Sequence, residues 1–202
     1  MEIKRARTRG MMLGEVGKIL MALFVIMDPF GSIPIFLLVT EGMDGRKVSR
    51  AAGYAVGVAG LVLFFFLFLG DPLFRVLRVE FSSLRIGGGL VLGVLGMELV
   101  LGRSLLKKEV KGSPALSLIG TPMLTGPGVI VSTMIFVKTY GYLPVLFASF
   151  PLLFLSWMVL RLSSFFHRVL GKDGIEILSR LMGLLLVTIA VDLVMGGVKE
   201  AL

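Results

Sequence analysis

The stretch Ile26-Met-Asp-Pro-Phe-Gly-Ser-Ile-Pro34 lies in the middle of the first long apolar run of the chain. Proline removes a backbone donor and clashes with the preceding turn, and an ionised aspartate is costly to hold in hydrocarbon. A plain membrane anchor has no use for an acid, two prolines and a glycine at its centre. Non-helical backbone at membrane depth is tolerated where protein or a polar cavity takes up its freed N–H and C=O groups. The stretch therefore reads as a broken helix beside a cavity, an arrangement that transporters use.

The surrounding chain agrees with a membrane setting. Of 202 residues, 56% are hydrophobic, and the mean hydropathy is +0.95. The apolar residues come in runs of roughly twenty, enough to cross about 30 Å of hydrocarbon. The fold class is an all-α polytopic membrane protein. A net charge of +8 would suggest nucleic acid in a soluble protein, but here nearly all Lys and Arg lie between spans, where topology and anionic headgroups account for them. No nucleic-acid partner is expected. With no cysteine there is no disulfide framework and no thiolate metal site, and the single His167 reads as a solvated loop residue. The apolar run after the basic N-terminus is too long for a signal-peptide core and has no small-residue cleavage site, so it reads as retained.

Six spans are expected. The first covers about residues 17–39, broken near Asp28 to Gly31; the second, 48–69, has a glycine face at Gly53, Gly57 and Gly60 for close helix contact and ends at Asp71-Pro72. The third, 82–101, carries Arg85, Gly87-Gly88-Gly89, Gly93, Gly96 and then Glu98. A basic loop with Arg103, Lys107, Lys108 and Lys111 precedes the fourth, 116–137, which is interrupted at Thr121-Pro122 and Thr125-Gly126-Pro127-Gly128. The fifth, 142–160, tolerates Pro144 in its first turn, is kinked by Pro151, and places Trp157 as an interfacial anchor. The sixth, 175–198, has Arg180 near its start and Asp192 late.

Internal repetition organises these spans. Met97-Glu-Leu-Val-Leu-Gly102 closes span three and Val191-Asp-Leu-Val-Met-Gly196 closes span six, setting acid over acid, Gly102 over Gly196 and Gly89 over Gly183. Pro29 corresponds to Pro127, and proline and acid are 69 residues apart in the first half and 65 in the second. The expected domains are a three-span repeat over 1–102 with its N-terminal tail, a basic linker at 103–115, and a second repeat over 116–202. Three spans per half is odd, so the second copy enters from the opposite side, an inverted repeat with helices 1 and 4 discontinuous. Setting the N-terminal tail aside, the first, third and fifth loops hold most of the Lys and Arg. The positive-inside rule then places both termini outside the cell membrane.

Where a helix breaks in the membrane, one half presents free N–H groups at a positive end and the other free carbonyls at a negative end. Two such breaks side by side suit a zwitterion. The N–H groups after Pro29, at Phe30, Gly31 and Ser32, and after Pro127, at Gly128 and Val129, would hold a carboxylate. Carbonyls before the breaks, with Asp28, would hold an ammonium. Glycines at 31, 126 and 128 permit close backbone approach, and Thr125, Ser132 and Thr133 offer hydroxyls. A small α-amino acid is the simplest such ligand; the plainer alternative is that the same Gly and Pro residues only kink helices for packing. A desolvated carboxylate can exchange a proton near neutral pH. Asp28 is therefore the first candidate for coupling to a proton or sodium ion, with Glu98 and Asp192 behind it and Thr188 one turn before Asp192 to bond it. Glu98 and Asp192 can equally reach the interface, and Arg85 and Arg180 read as snorkelling or packing residues. There is no nucleophile paired with a base, no metal cluster and no nucleotide loop, so no enzyme and no cofactor is expected.

At Asp28-Pro-Phe-Gly-Ser-Ile-Pro34-Ile-Phe36 and at Gly120-Thr-Pro-Met-Leu-Thr-Gly-Pro-Gly-Val-Ile130 the sequence resembles the MarC family of membrane proteins, which includes small neutral amino acid transporters of the SnatA type. The likeness extends to Arg85-Ile-Gly-Gly-Gly89 and Met182-Gly-Leu-Leu-Leu186 and covers essentially the whole chain. It implies a six-span protein transporting glycine, alanine and similar amino acids with proton coupling. The expected function is thus secondary transport by alternating access around a midplane site, with a homo-oligomer left open. The competing expectations are an exporter of other small solutes or drugs, and a membrane structural or assembly protein.

Overall fold

A computed structural model of the chain describes residues 2–102 and 124–202. All seven elements among the described residues are helices: α1 (Glu2–Met27), α2 (Ile33–Val39), α3 (Gly45–Leu77), α4 (Phe81–Leu101), α5 (Pro127–Tyr140), α6 (Tyr142–Arg161) and α7 (Ser163–Ala201). Four of them, α3 over Gly45–Gly70, α4, α6 and α7, are long and apolar enough to cross a membrane, and α5 is a shorter apolar helix. They carry large exposed apolar side chains, such as Leu61 at 69%, Phe154 at 60% and Leu184 at 59%. In water such a surface would be an aggregation hazard, whereas hydrocarbon solvates it. The residues of the expected first span form two helical pieces, the end of α1 and the seven-residue α2. The linker at 103–115 and the Thr121-Pro122 interruption lie outside the described residues.

Two boundaries differ from the sequence expectation. Helix α3 runs through Pro72 to Leu77; a proline removes one donor, and the turn before it is held from outside, with Gly70 against Met134. What ends α3 is Arg78 in the left-handed region, φ 54, followed by Val79 N–H donating to Phe74 O at 3.1 Å, the six-to-one closure of a helix C-terminus. Helix α7 begins well before residue 175, at Ser163, and is broken at Gly171, where φ is 67.

The chain halves do not form separate bodies. The most extensive pairing joins α4 to α7, followed by α1 with α6, α3 with α6, and α3 and α4 with α5. Each of these joins the first half to the second. The α4–α7 contact is a glycine seam: a Cβ on Gly96 would lie 2.9 Å from Gly183 O, one on Gly183 2.8 Å from Gly96 O, and one on Gly197 2.8 Å from Ser82 O. In lipid, where no hydrophobic force drives helices together, such small residues permit the close packing that does. The glycine face expected on α3 is mostly unused for this. Ala52, Ala55, Ala59, Leu63 and Leu67 are its buried stripe, Gly60 meets Leu153, and a Cβ on Gly57 would meet nothing within 4 Å.

Candidate functional site

The first break is built by Asp28. Its N–H donates to Phe24 O at 3.1 Å, closing α1, and its backbone then turns left-handed, φ 41, a region that Asp and Asn tolerate better than other side chains. Pro29 follows and cannot donate. The Asp28 carboxylate accepts the Gly31 N–H at Oδ1, 3.1 Å, Ser32 Oγ donates to Asp28 O at 3.3 Å, and Ile33 N–H reaches Phe30 O at 3.0 Å. Asp28 is 7% exposed. Phe30 packs edge-on against Phe24 and Phe166, with ring centroids 6.0 and 5.4 Å away. Against expectation, the Gly31 N–H is therefore occupied by the chain's own carboxylate, because the tight turn brings Asp28 within reach of it.

A cavity of about 810 Å³ reaches this break. Gly31, Pro34, Leu37 and Leu38 line one side, Glu98, Leu99 and Gly102 at the end of α4 another, and Ile175, Glu176 and Ser179 of α7 a third, with Glu41, His167 and Lys172 towards the loops. A Cβ on Gly31 would lie 2.1 Å from Asp28 Oδ2 and 3.2 Å from Ser179 Oγ, so the missing side chain is what leaves room there. Its polar groups come from the end of the molecule that carries the first and fifth loops. Glu176 pairs with Arg180, whose guanidinium lies beside Gly102. Among the described residues no three acids or histidines gather as a metal cluster.

The start of α5, where the second break was expected, is placed differently. Gly126 is extended, φ −77 and ψ 177, and its carbonyl accepts Val129 N–H at 3.1 Å and Ile130 N–H at 3.3 Å to start α5 behind Pro127. Thr125 Oγ1 donates to Ala59 O of α3 at 3.0 Å. Gly128 is pressed against Leu92, Leu95 and Ile26; Val129, Ser132 and Thr133 are buried. The two breaks are neighbours through Ile26, but of the expected site residues only Gly31 and Glu98 line the cavity: Asp28, Pro29, Phe30 and Ser32 stand behind Gly31, and Thr125, Gly126, Pro127, Gly128, Val129 and Ser132 do not reach it. The cavity at Gly31 does not extend over the second break, where the sequence reading expected a shared pocket; Leu92 and Leu95 lie over Gly128. Thr133 Oγ1 donates to Val129 O at 2.7 Å.

Of the other acids, Glu98 lines the cavity and Asp192 is exposed. Thr188, also exposed, donates to Leu184 O at 3.0 Å, one turn back, so it serves its own helix in place of Asp192. Arg85 lies over Gly196 and faces Glu200 at 3.5 Å, a packing role as expected. Sequence reasoning missed Ser179, Glu176, Glu41, Lys172 and the placement of His167. Ile175, Glu176 and Ser179 share a helix face by spacing, but nothing local marks that face as the one meeting Gly31.

The model of the MarC family integral membrane proteins matches residues 13–202. An UPF0056 membrane protein of Aquifex aeolicus is 33% identical over 92% of each chain. The UPF0056 membrane protein YhcE of Escherichia coli is 29% identical over 90% of this chain and 91% of its own, and UPF0056 membrane protein MJ1677 of Methanocaldococcus jannaschii is 29% identical over 90% and 94%. No solved structure matches.

Proposed function

As the chain belongs to the MarC family of integral membrane proteins, we propose that it is a secondary transporter of small neutral amino acids such as glycine and alanine. The observation that carries this reading is the cavity reaching a broken helix at Gly31, beside a buried carboxylate. A purely structural protein gains nothing from a cavity that ends at the glycine whose N–H an expensive acid holds. At the apex, the Asp28 carboxylate, the Ser179 hydroxyl and the backbone of the break match a zwitterion with a short side chain. Asp28 is the coupling residue for a proton or sodium ion, with Glu98 on the route to it.

Alternating access here rests on two inverted three-span repeats. Several features support that arrangement. Exchanging the first, second and third spans for the fourth, fifth and sixth turns the α1–α6 pairing into α5–α3, and α4–α5 into α7 with α1 and α2, all of which occur. The α4–α7 seam maps onto itself, the close contact of Gly183 with Gly96 O exchanging with that of Gly89 with Ala190 O. Arg85 over Gly196 is matched by Arg180 over Gly102. In this state the first break is open and the second is packed shut under Leu92 and Leu95; transport would exchange these roles. The open side carries the basic loops, so by the positive-inside rule it is cytoplasmic, with the termini outside the cell membrane.

The test is uptake of labelled glycine and alanine into proteoliposomes holding the purified chain, across a panel of amino acids at two pH values. Uptake that is lost in Gly31→Ala, where the new Cβ displaces the Asp28 carboxylate, supports the reading. Absence of amino acid uptake and binding in well-folded protein, or full activity of Gly31→Ala, would overturn it.

A further inference from the structure

A second opening, about 1130 Å³ in volume, lies between the start of α3 and the α6–α7 junction and belongs to no part of the proposed transport path. Arg46, Arg50 and Arg161 line it, with the hydroxyls of Ser49 and Ser164. The one acid in its wall, Asp44, is already engaged: Oδ1 accepts the Lys47 N–H at 2.8 Å and Oδ2 faces Lys47 Nζ at 3.9 Å. Among the described residues no carboxylate forms an ion pair with any of the three arginines. Arg161 instead lies over the Trp157 ring, 5.0 Å from its centroid. Two helices, α3 and α7, begin at this opening and α6 ends there, so the arginines and not the helix ends supply its positive charge. The fully buried Ser163 Oγ, at the same junction, has no hydrogen-bond partner.

We propose that this opening holds the phosphate of an anionic phospholipid, with an acyl chain running down α3. Arg46, Arg50, Gly53 and Gly57 follow one another at intervals of four, three and four residues, so they share one stripe of the helix. The glycines of that stripe are exposed. A Cβ on Gly57 would meet nothing within 4 Å, and one on Gly53 would meet only Trp157 Nε1, at 3.9 Å. They leave a shallow track below the arginines, beside the Trp157 and Phe154 rings, which lie 6.0 Å apart. A free phosphate ion needs neither the volume nor the track. A diacyl lipid uses both, and its headgroup stands at the depth where the apolar helices end.

The experiment measures lipid retained by the detergent-purified full chain, by native mass spectrometry and by thermal unfolding. Phosphatidylglycerol is expected to bind and raise the Tm where phosphatidylcholine does not. At about fivefold per arginine, Arg46→Ala with Arg50→Ala should weaken phosphatidylglycerol retention by roughly 25-fold, while Arg168→Ala, an exposed arginine outside the opening, leaves it unchanged. Gly57→Leu, which fills the track without touching a charge, should weaken the lipid but not inorganic phosphate, and it keeps the test open if the double variant does not fold. Equal retention of the two lipids, an unaffected double variant or an unaffected Gly57→Leu would overturn the proposal. So would inorganic phosphate competing as well as the lipid, which would make this a free-anion site.

Discussion

Asp28 combines two tasks that a substitution can separate. Its backbone sits at φ 41, and its side chain accepts the Gly31 N–H. Asparagine keeps an oxygen for that bond and tolerates the left-handed region, whereas alanine does neither. Asp28→Ala is expected to cost roughly 2–3 kcal/mol, from about 1–2 for left-handed strain and about 1 for the lost bond. Asp28→Asn should unfold close to wild type while losing ion-coupled uptake. Thermal unfolding of both variants checks the first part; an asparagine variant as unstable as the alanine one would mean that charge, not shape, holds the break. The break itself was legible in the sequence because Asp, Pro and Gly are too costly in hydrocarbon to be accidental. That the Gly31 N–H is already taken was not, since it depends on one turn's geometry and one rotamer.

Among the elements, glycine proved informative only where another backbone comes close. Gly89, Gly96 and Gly183 stood out in the sequence, Gly197 did not, and in the α4–α7 seam each of the four would place a Cβ within 2.9 Å of a backbone carbonyl oxygen. Backbone cannot rotate aside as a side chain can. Gly96→Ala is therefore expected to lower stability by about 1–3 kcal/mol, measured by thermal unfolding of purified protein. Gly57→Ala, facing open space, should be neutral or stabilising by up to about 1 kcal/mol through helix propensity. The opposite order would remove the seam as the principal close contact. Gly57 and Gly96 look alike in sequence; only the packing partner tells them apart. The α3 terminus teaches the same lesson, since Pro72 was the obvious stop and the helix passes through it to a left-handed Arg78.

Taken whole, the molecule opens the broken helix at Gly31 to one side and packs the start of α5 away. The chain contains no cysteine, so single cysteines report this asymmetry without background. Ser179→Cys and Glu98→Cys should react with a membrane-impermeant maleimide from the side of the first and fifth loops, and glycine should protect Ser179→Cys. Ser132→Cys, at a position 1% exposed, should react far more slowly. Rapid labelling of Ser132→Cys from that side would mean that the second break shares the open cavity. By itself the sequence determined the membrane setting, the helical class and the place where the first apolar run is interrupted, because costly residues within apolar runs leave the chain few alternatives. The tertiary structure alone decided which break the cavity reaches and that Glu41, Glu98 and Ser179 surround it. Those residues meet through helices packed across the two halves, and no local pattern encodes that packing.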